Sequence, residues 1–441
     1  MNALTRETIR DTCAQMRLPS LILECADKSP HSKERFEMTK RTQSLLLIGL
    51  AYVSFISLGL PDGLLGVAWP SIRTHFHIPI DSLGALLVLF TAGYLISSFV
   101  SGRLLARISV GTLLALSCLA TAVSLLGYTI ALSWPVMVAL GALAGLGAGA
   151  IDTGLNIYAA RHFSARVVNW LHAFYGVGAT IGPLVMTATL GAGYGWQRGY
   201  WIVGIWQLIL AICFGLTRAR WGANGAAETG QVNDKGAARS VSISGTLRMP
   251  VVWISIAVFF LYTGIEAAAG TWAYSLFTES RTISAATAGM WVSVYWANLT
   301  LGRFLSGVVV GFAPVSLLLR SSIIGIAVGA ALIWINISEL SSFLGLALMG
   351  LSSAPIFPTL IATTPARLGD AHTANGVGFQ IAAAVLGQSL VPASVGVLAG
   401  KFNLEAVGPA LFTCAVLLLA LFEALMAVSR KSIRMESARE I

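Results

Sequence analysis

The stretch FISLGLPDGLLGVAWP, residues 55–70, decides how the rest of the chain is read. It is apolar almost throughout, yet Pro61 cannot donate to a helical ladder and the Asp62 carboxylate beside it is costly to bury. The surrounding sequence stays oily. Of 441 residues, 56% are hydrophobic and 11% charged, against roughly 25% charged in soluble domains. A hydrocarbon core of about 30 Å takes about 20 apolar residues per helix. Runs of that length fall at 44–70, 82–106, 110–132, 134–160, 165–190, 199–217, 250–277, 285–308, 315–336, 340–362, 374–400 and 405–429. The expected fold is an all-α membrane protein with twelve transmembrane helices, whose solvent is the lipid bilayer.

The net charge of +9 has no basic, aromatic-interleaved domain to carry it, so nucleic acid is not an expected partner. Lys and Arg gather on alternate connections instead. Lys40 and Arg41 precede the first span, Arg103 and Arg107 follow the second, Arg161 and Arg166 the fourth, and Arg430, Lys431 and Arg434 the last. By the positive-inside rule both termini are cytoplasmic. The five cysteines lack metal-ligand or redox spacing, and no phosphate loop, zinc motif or nucleophile elbow occurs. The chain is expected to be no enzyme and to hold no metal or cofactor.

Residues 1–40 read as a disordered cytoplasmic extension, with Met1 and Met38 as the alternative translation starts, and 431–441 as a cytoplasmic tail. The polar stretch 218–248 reads as a linker between six-helix halves at 41–217 and 249–430. The halves can be laid on one another. An offset of 204 brings Phe55, Asp62 and Gly66 onto Phe259, Glu266 and Gly270. An offset of 205 brings Gly84 onto Gly289 and Ser101–Gly102 onto Ser306–Gly307, and 206 brings Asn169 onto Asn375. Two pseudo-symmetric halves around a midplane site are characteristic of secondary transporters. Gly141, Gly145 and Gly149 recur every fourth residue on the fourth span, a face suited to close helix packing.

A carboxylate deep in a bilayer normally faces a water-filled cavity or a partner. Asp62, Asp152 and Glu266 are the candidates for proton coupling. Pro61 and the nearby glycines predict a bend or loosening around Asp62, making that segment a wall of a hydrated site. The competing reading pairs Asp62 with a buried base such as Arg303, locking two helices together. Asp62 and Asp152 sit at different depths, about 9 Å outward and about 6 Å inward of their helix midpoints, which suits a proton relay better than a shared metal. Asn156, Asn169, His172, Asn298, Asn375 and Gln380 are candidate solute contacts, and rings such as Trp272 and Trp296 could stack on a sugar face. Each could equally serve helix packing.

The segments GLPDGLLGVAWPSI, GLGAGAIDTGLNIYAARHF, RVVNWLHAFYGVGATIGP, YWANLTLGRFLSG, SAPIFPTLIATTPARLG and NGVGFQIAAAVLGQSLVP resemble the major facilitator superfamily, and within it the fucose-permease-like branch of sugar:proton symporters. The resemblance implies proton-coupling and sugar-binding roles at Asp62 and Asp152, with Asn169 in the span-five position. Pro61 stands where that branch carries asparagine, and Asp152 where it carries glutamate. In SGRLLARISVG, Arg103 and Arg107 keep the bases of a cytoplasmic gate without its acid, and Arg303 is a further gating candidate. GATIGP is similar to an antiporter signature. The expected function is alternating-access transport of a small polar solute, a sugar, with protons, by a monomer in a bacterial inner membrane. The alternatives are a proton-driven exporter of drugs or metabolites and a non-transporting nutrient receptor.

Overall fold

The computed structural model describes residues 30–222, 242–309 and 314–437. The chain divides into two compact units, Met1–Leu50 and Ala51–Ile441. The first, as far as it is described, consists of the initial turns of one helix, and the second holds the bundle.

Among the described residues twelve long helices follow in order. They are α1 Pro30–Phe76, α2 Leu83–Leu105, α3 Val110–Tyr128, α4 Trp134–His162, α5 Ala165–Gly191 and α6 Trp196–Thr217. Then come α7 Pro250–Ser275, α8 Ala285–Val309, α9 Val315–Ile335, α10 Glu339–Ser353, α11 Asp370–Lys401 and α12 Val407–Ser437. Among the described residues eleven spans satisfy length and hydropathy for membrane crossing; the twelfth helix, α8, carries Asn298 and Arg303. Starts are marked where the sequence supplies a cap. Ser109 and Ser164 accept from the main chain of Thr112 and Val167, and Ser338 forms a capping box with Ser341.

Several sequence boundaries move. Residues 30–40 of the expected disordered extension belong to α1, while 1–29 lie outside the described residues. Of the expected linker, Arg218–Trp221 is a 3-10 turn and Ile243–Leu247 a short helix, and 223–241 lie outside. The tail is helical to Ser437. At Pro61, where a bend or loosening is expected, α1 continues as one helix. Pro61 leaves the Ser57 carbonyl without its helical donor, and the buried Gln207 amide of α6 reaches that oxygen at 3.5 Å. A side chain from a neighbouring helix thus offsets what the imino acid removes. The break falls in α10 instead, which stops before Pro355 and resumes at Ile356–Ala362.

Packing repeats between the halves. Helix α2 packs on α4, and α3 on α4 and α6; in the second half α8 packs on α10, and α9 on α10 and α12. The halves meet along α5 with α8 and α2 with α11, pairings that the repeat exchanges. Glycine permits these approaches, because a Cβ on Gly145 would fall 1.9 Å from the Phe90 carbonyl and one on Gly149 would fall 2.4 Å from that of Tyr94. The small-residue face of α4 is therefore its seam with α2. Gly178 and Gly182 of GATIGP seat α5 on the Ile56 and Leu60 carbonyls of α1 in the same way. The turns after α1 and α7 repeat as well. His77 and Thr282, matched at an offset of 205, both adopt left-handed backbone, φ 54° and 53°. A β-branched residue rarely tolerates that conformation, so Thr282 marks a turn imposed by the fold.

Candidate functional site

The site lies midway along α1, α2, α4 and α5 of the first half and α7 and α8 of the second. Asp62 is exposed although it sits at the middle of a spanning helix, and it accepts a 2.5 Å hydrogen bond from the Tyr175 hydroxyl of α5. Asp152 on α4 accepts from the Tyr94 hydroxyl of α2 at 2.7 Å and from Asn156 Nδ2 at 2.9 Å. Asn156 is one turn along the same helix face, as the i,i+4 spacing predicts, and it also donates to the Asp152 main-chain oxygen. The Tyr94 hydroxyl lies within electrostatic reach of both carboxylates, which places the two acids in one neighbourhood. Among the described residues neither has a cationic side chain within 4.0 Å.

His172, one turn before Tyr175, is exposed, and its ring meets Phe55 edge-on at 5.4 Å. It lies within reach of the charges of Asp152 and, across the boundary between halves, of Arg303. Tyr175 likewise feels Glu266 and Arg303 of the second half. The cluster is therefore shared by both halves.

The acid of the second half is held differently. Glu266 is 6% exposed, and Arg303 of α8 approaches it at 3.4 Å. The Tyr262 hydroxyl lies 2.5 Å from its Oε2 and 2.9 Å from the Ser353 carbonyl, and Tyr295 donates to the Glu266 main-chain oxygen at 2.8 Å. The base once weighed as a partner for Asp62 is thus the partner of Glu266. Glu266, expected as a third proton-coupling acid or the pseudo-symmetric counterpart of Asp62, is a buried, paired carboxylate, because α7 and α8 bring the guanidinium to it.

Other expected contacts serve packing. Trp272 is fully buried, and its indole N–H donates to the Pro392 carbonyl at 2.9 Å, which removes it from the solute-facing rings. Trp296 is 6% exposed, packed edge-on to Tyr295 and against Gly270. Asn298 donates to the Ala347 carbonyl of α10, and Asn375 to Thr246 of the short helix before α7. Gln380 is buried between Ser255 and Thr364. The Asn169 side chain lies outside the described residues. Arg103 and Arg107 are exposed at the end of α2, away from the cluster. Tyr94, Tyr175 and Tyr262 bond to the acids and carried no sequence signal, since a tyrosine in an apolar helix looks like packing, and Tyr295, a candidate stacking ring, bonds instead to the Glu266 main chain.

At the end where α1 and α7 finish, the halves are joined. A π-helical turn, Leu276–Ser280, extends α7 and presents Glu279 to Arg73 of α1 at 2.7 Å. Below it Gly66 abuts the Gly270 carbonyl and Thr271, and Gly396 packs against Asp81. Toward the opposite end, the cross-half ring contact among the described residues is Trp170 against Phe304, centroids 5.4 Å apart.

A profile of the Major Facilitator Superfamily matches residues 51–392. The chain is 22% identical over 392 residues to Bypass of stop codon protein 6 of Saccharomyces cerevisiae, covering 80% of this chain and 77% of that one. A mutant of the nucleoside transporter NupG superposes with a TM-score of 0.71 at 13% identity, covering 86% of this chain and 99% of NupG. The fucose:proton symporter FucP of E. coli superposes at 0.57 and 16% identity, covering 86% of this chain and 98% of FucP. With the twelve helices, their duplicated packing and a family match over most of its length, this chain belongs to the major facilitator superfamily.

Proposed function

We propose that the protein is a proton-coupled secondary transporter of a small hydroxylated solute, working by alternating access. One observation carries the reading. Asp62 and Asp152, two intramembrane carboxylates, have hydroxyl and amide partners and, among the described residues, no cation within 4.0 Å. A carboxylate so held can accept a proton without breaking an ion pair, which is what a reversible carrier requires. Asn156 and Tyr94, which bond to Asp152, and the exposed His172 add groups that bond to hydroxyls. Relatives of the same fold include a nucleoside transporter and a fucose:proton symporter, which supports a polar solute. The joined ends of α1 and α7 favour a state open at the opposite end. The distribution of Lys and Arg makes that end, with both termini, cytoplasmic.

Proteoliposomes test this directly. Asp62→Asn should abolish accumulation driven by an imposed proton gradient while retaining solute exchange. Undiminished accumulation in that variant overturns the assignment. Movement against the proton flux would mark an exporter; binding without flux would mark a receptor.

A further inference from the structure

We propose that Arg367 holds a phosphate group at the inner end of the second half, and that this anion is the counter-charge with which the inner ends close. The site lies outside the cluster around Asp62 and Asp152. Its role in closing rests on alternating access; the binding itself does not.

Among the described residues Arg73, Arg281, Arg303, Arg320 and Arg367 are the half-buried arginines. The first four meet Glu279, Glu405, Glu266 and Glu423. Arg367 has no described carboxylate within 4.0 Å, and Asp370, three residues on, is exposed to solvent instead. Its Nη2 donates to the Leu360 carbonyl at 2.6 Å and to the Thr364 hydroxyl at 3.2 Å, both uncharged. Its Nε is shut off from solvent without an acceptor. Burial pushes the guanidinium down to about 10. A buried charge held by neutral groups alone is costly. Thr364 in turn bonds to Gln380 of α11 at 3.0 Å, so the plane of the guanidinium is fixed in a form that suits an oxyanion.

Position selects the anion. Arg367 sits on the short helix Thr364–Leu368, between the span that ends at Ala362 and the span that starts at Asp370. That is the depth of the lipid headgroups. The inner end of the first half has no acid to offer in place of a phosphate. Between Ala51 and Gly222 the acids are Asp62, Asp81 and Asp152, of which Asp62 and Asp152 belong to the cluster and Asp81 to the outer turn after α1. The exposed bases Arg103, Arg107, Arg161, Arg218 and Arg220 lie at or just past the inner ends of α2, α4 and α6. Arg161 and Arg367 match at an offset of 206. The outer ends are joined by Arg73 and Glu279, whereas inner ends that approach one another set base against base. A phosphate beside Arg367 offsets that repulsion.

Two probes separate a free phosphate from a lipid headgroup. Calorimetry follows inorganic phosphate added to the purified full chain in phosphatidylcholine nanodiscs, with chloride at equal ionic strength as reference. Native mass spectrometry counts phosphatidylglycerol retained from mixed nanodiscs. At least one source should bind. Arg367→Gln should weaken it roughly ten- to a hundredfold, the loss expected for hydrogen bonds to a charged group. Arg367→Lys should weaken it by less, since the charge remains, and it serves alone if the glutamine variant does not fold. Arg103→Gln, on the exposed rim, should leave binding nearly unchanged. Spin labels at Leu132→Cys and Ile337→Cys, exposed in the outer turns of the two halves, read the closing in a chain whose native cysteines are replaced by alanine. They should move apart as the anion binds, because closing the inner end opens the outer one. Binding of neither source, or an equal loss in Arg103→Gln, overturns the site. Binding without separation of the labels overturns its role in closing. Neither solute nor proton gradient is present, so both failures leave the transport reading standing.

Discussion

The two halves carry the same helices and matched acids, yet they treat those acids in opposite ways. Asp62 faces open space with a tyrosine hydroxyl as partner, whereas Glu266, 204 positions later, is buried with a guanidinium and two tyrosines around it. Duplication supplies the position, and the neighbouring helix supplies the chemistry. The contrast extends to the ends of α1 and α7. There Phe76 packs among Trp134 and Trp196 in the first half. Arg281, matched to Phe76 at an offset of 205, ties Glu405, Ser342 and the Ile333 carbonyl together in the second. One half is stapled by rings and offers an open acid; the other is stapled by charge and holds its acid closed. Such an asymmetric pair can give one half the task of exchanging protons and the other that of holding a counter-charge.

The largest test of this contrast is to break the closed pair. Arg303→Met should lower stability by about 3–5 kcal/mol, since it strands a buried carboxylate. The Glu266→Gln/Arg303→Met double variant should recover most of that loss in thermal unfolding in detergent. A double variant as unstable as the single one would show that the guanidinium matters through packing rather than charge.

A smaller effect separates the tyrosines. Tyr262→Phe removes a buried bond to a carboxylate and should cost about 1.5–3 kcal/mol. Tyr175→Phe removes a bond to an exposed one and should cost about 1 kcal/mol or less. The same unfolding assay decides the order. Equal losses would mean that Asp62 is as enclosed as Glu266 and that the two halves are alike.

The smallest effect distinguishes the staples. Arg281→Met should cost about 1–3 kcal/mol, and that cost should shrink in high salt because Glu405 is partly exposed to solvent. Phe76→Ala should show a loss of similar size that salt does not reduce, since apolar packing is not screened. Parallel salt series of both variants check this. Matching salt dependence would remove the distinction between the two ends.

Much of the helix layout was legible along the chain. The twelve apolar runs predicted the helices to within a few residues at most ends, because a span is a local property of about 20 consecutive side chains. The seam of Gly141, Gly145 and Gly149 was legible for a similar reason, as its spacing follows the helix period. The site was legible only in part. Acids in oil stand out by their cost, so Asp62, Asp152 and Glu266 could be singled out. The tyrosines that hold them could not, and the amides Asn298, Asn375 and Gln380 resembled solute contacts until their interhelical partners were known. That Gln207, 146 positions further on, reaches the carbonyl freed by Pro61 was not legible, because the two lie far apart along the chain.

By itself the sequence determined that the chain inserts in lipid, that it is duplicated, and which carboxylates lie at membrane depth. These follow from composition and spacing along one dimension. Only the tertiary structure decided which acid is open and which is closed, because that depends on a guanidinium 37 residues away on the next helix and on hydroxyls from α2 and α5. Solvation and hydrogen bonding act over a few ångströms in space, and separation along the chain carries no record of that distance.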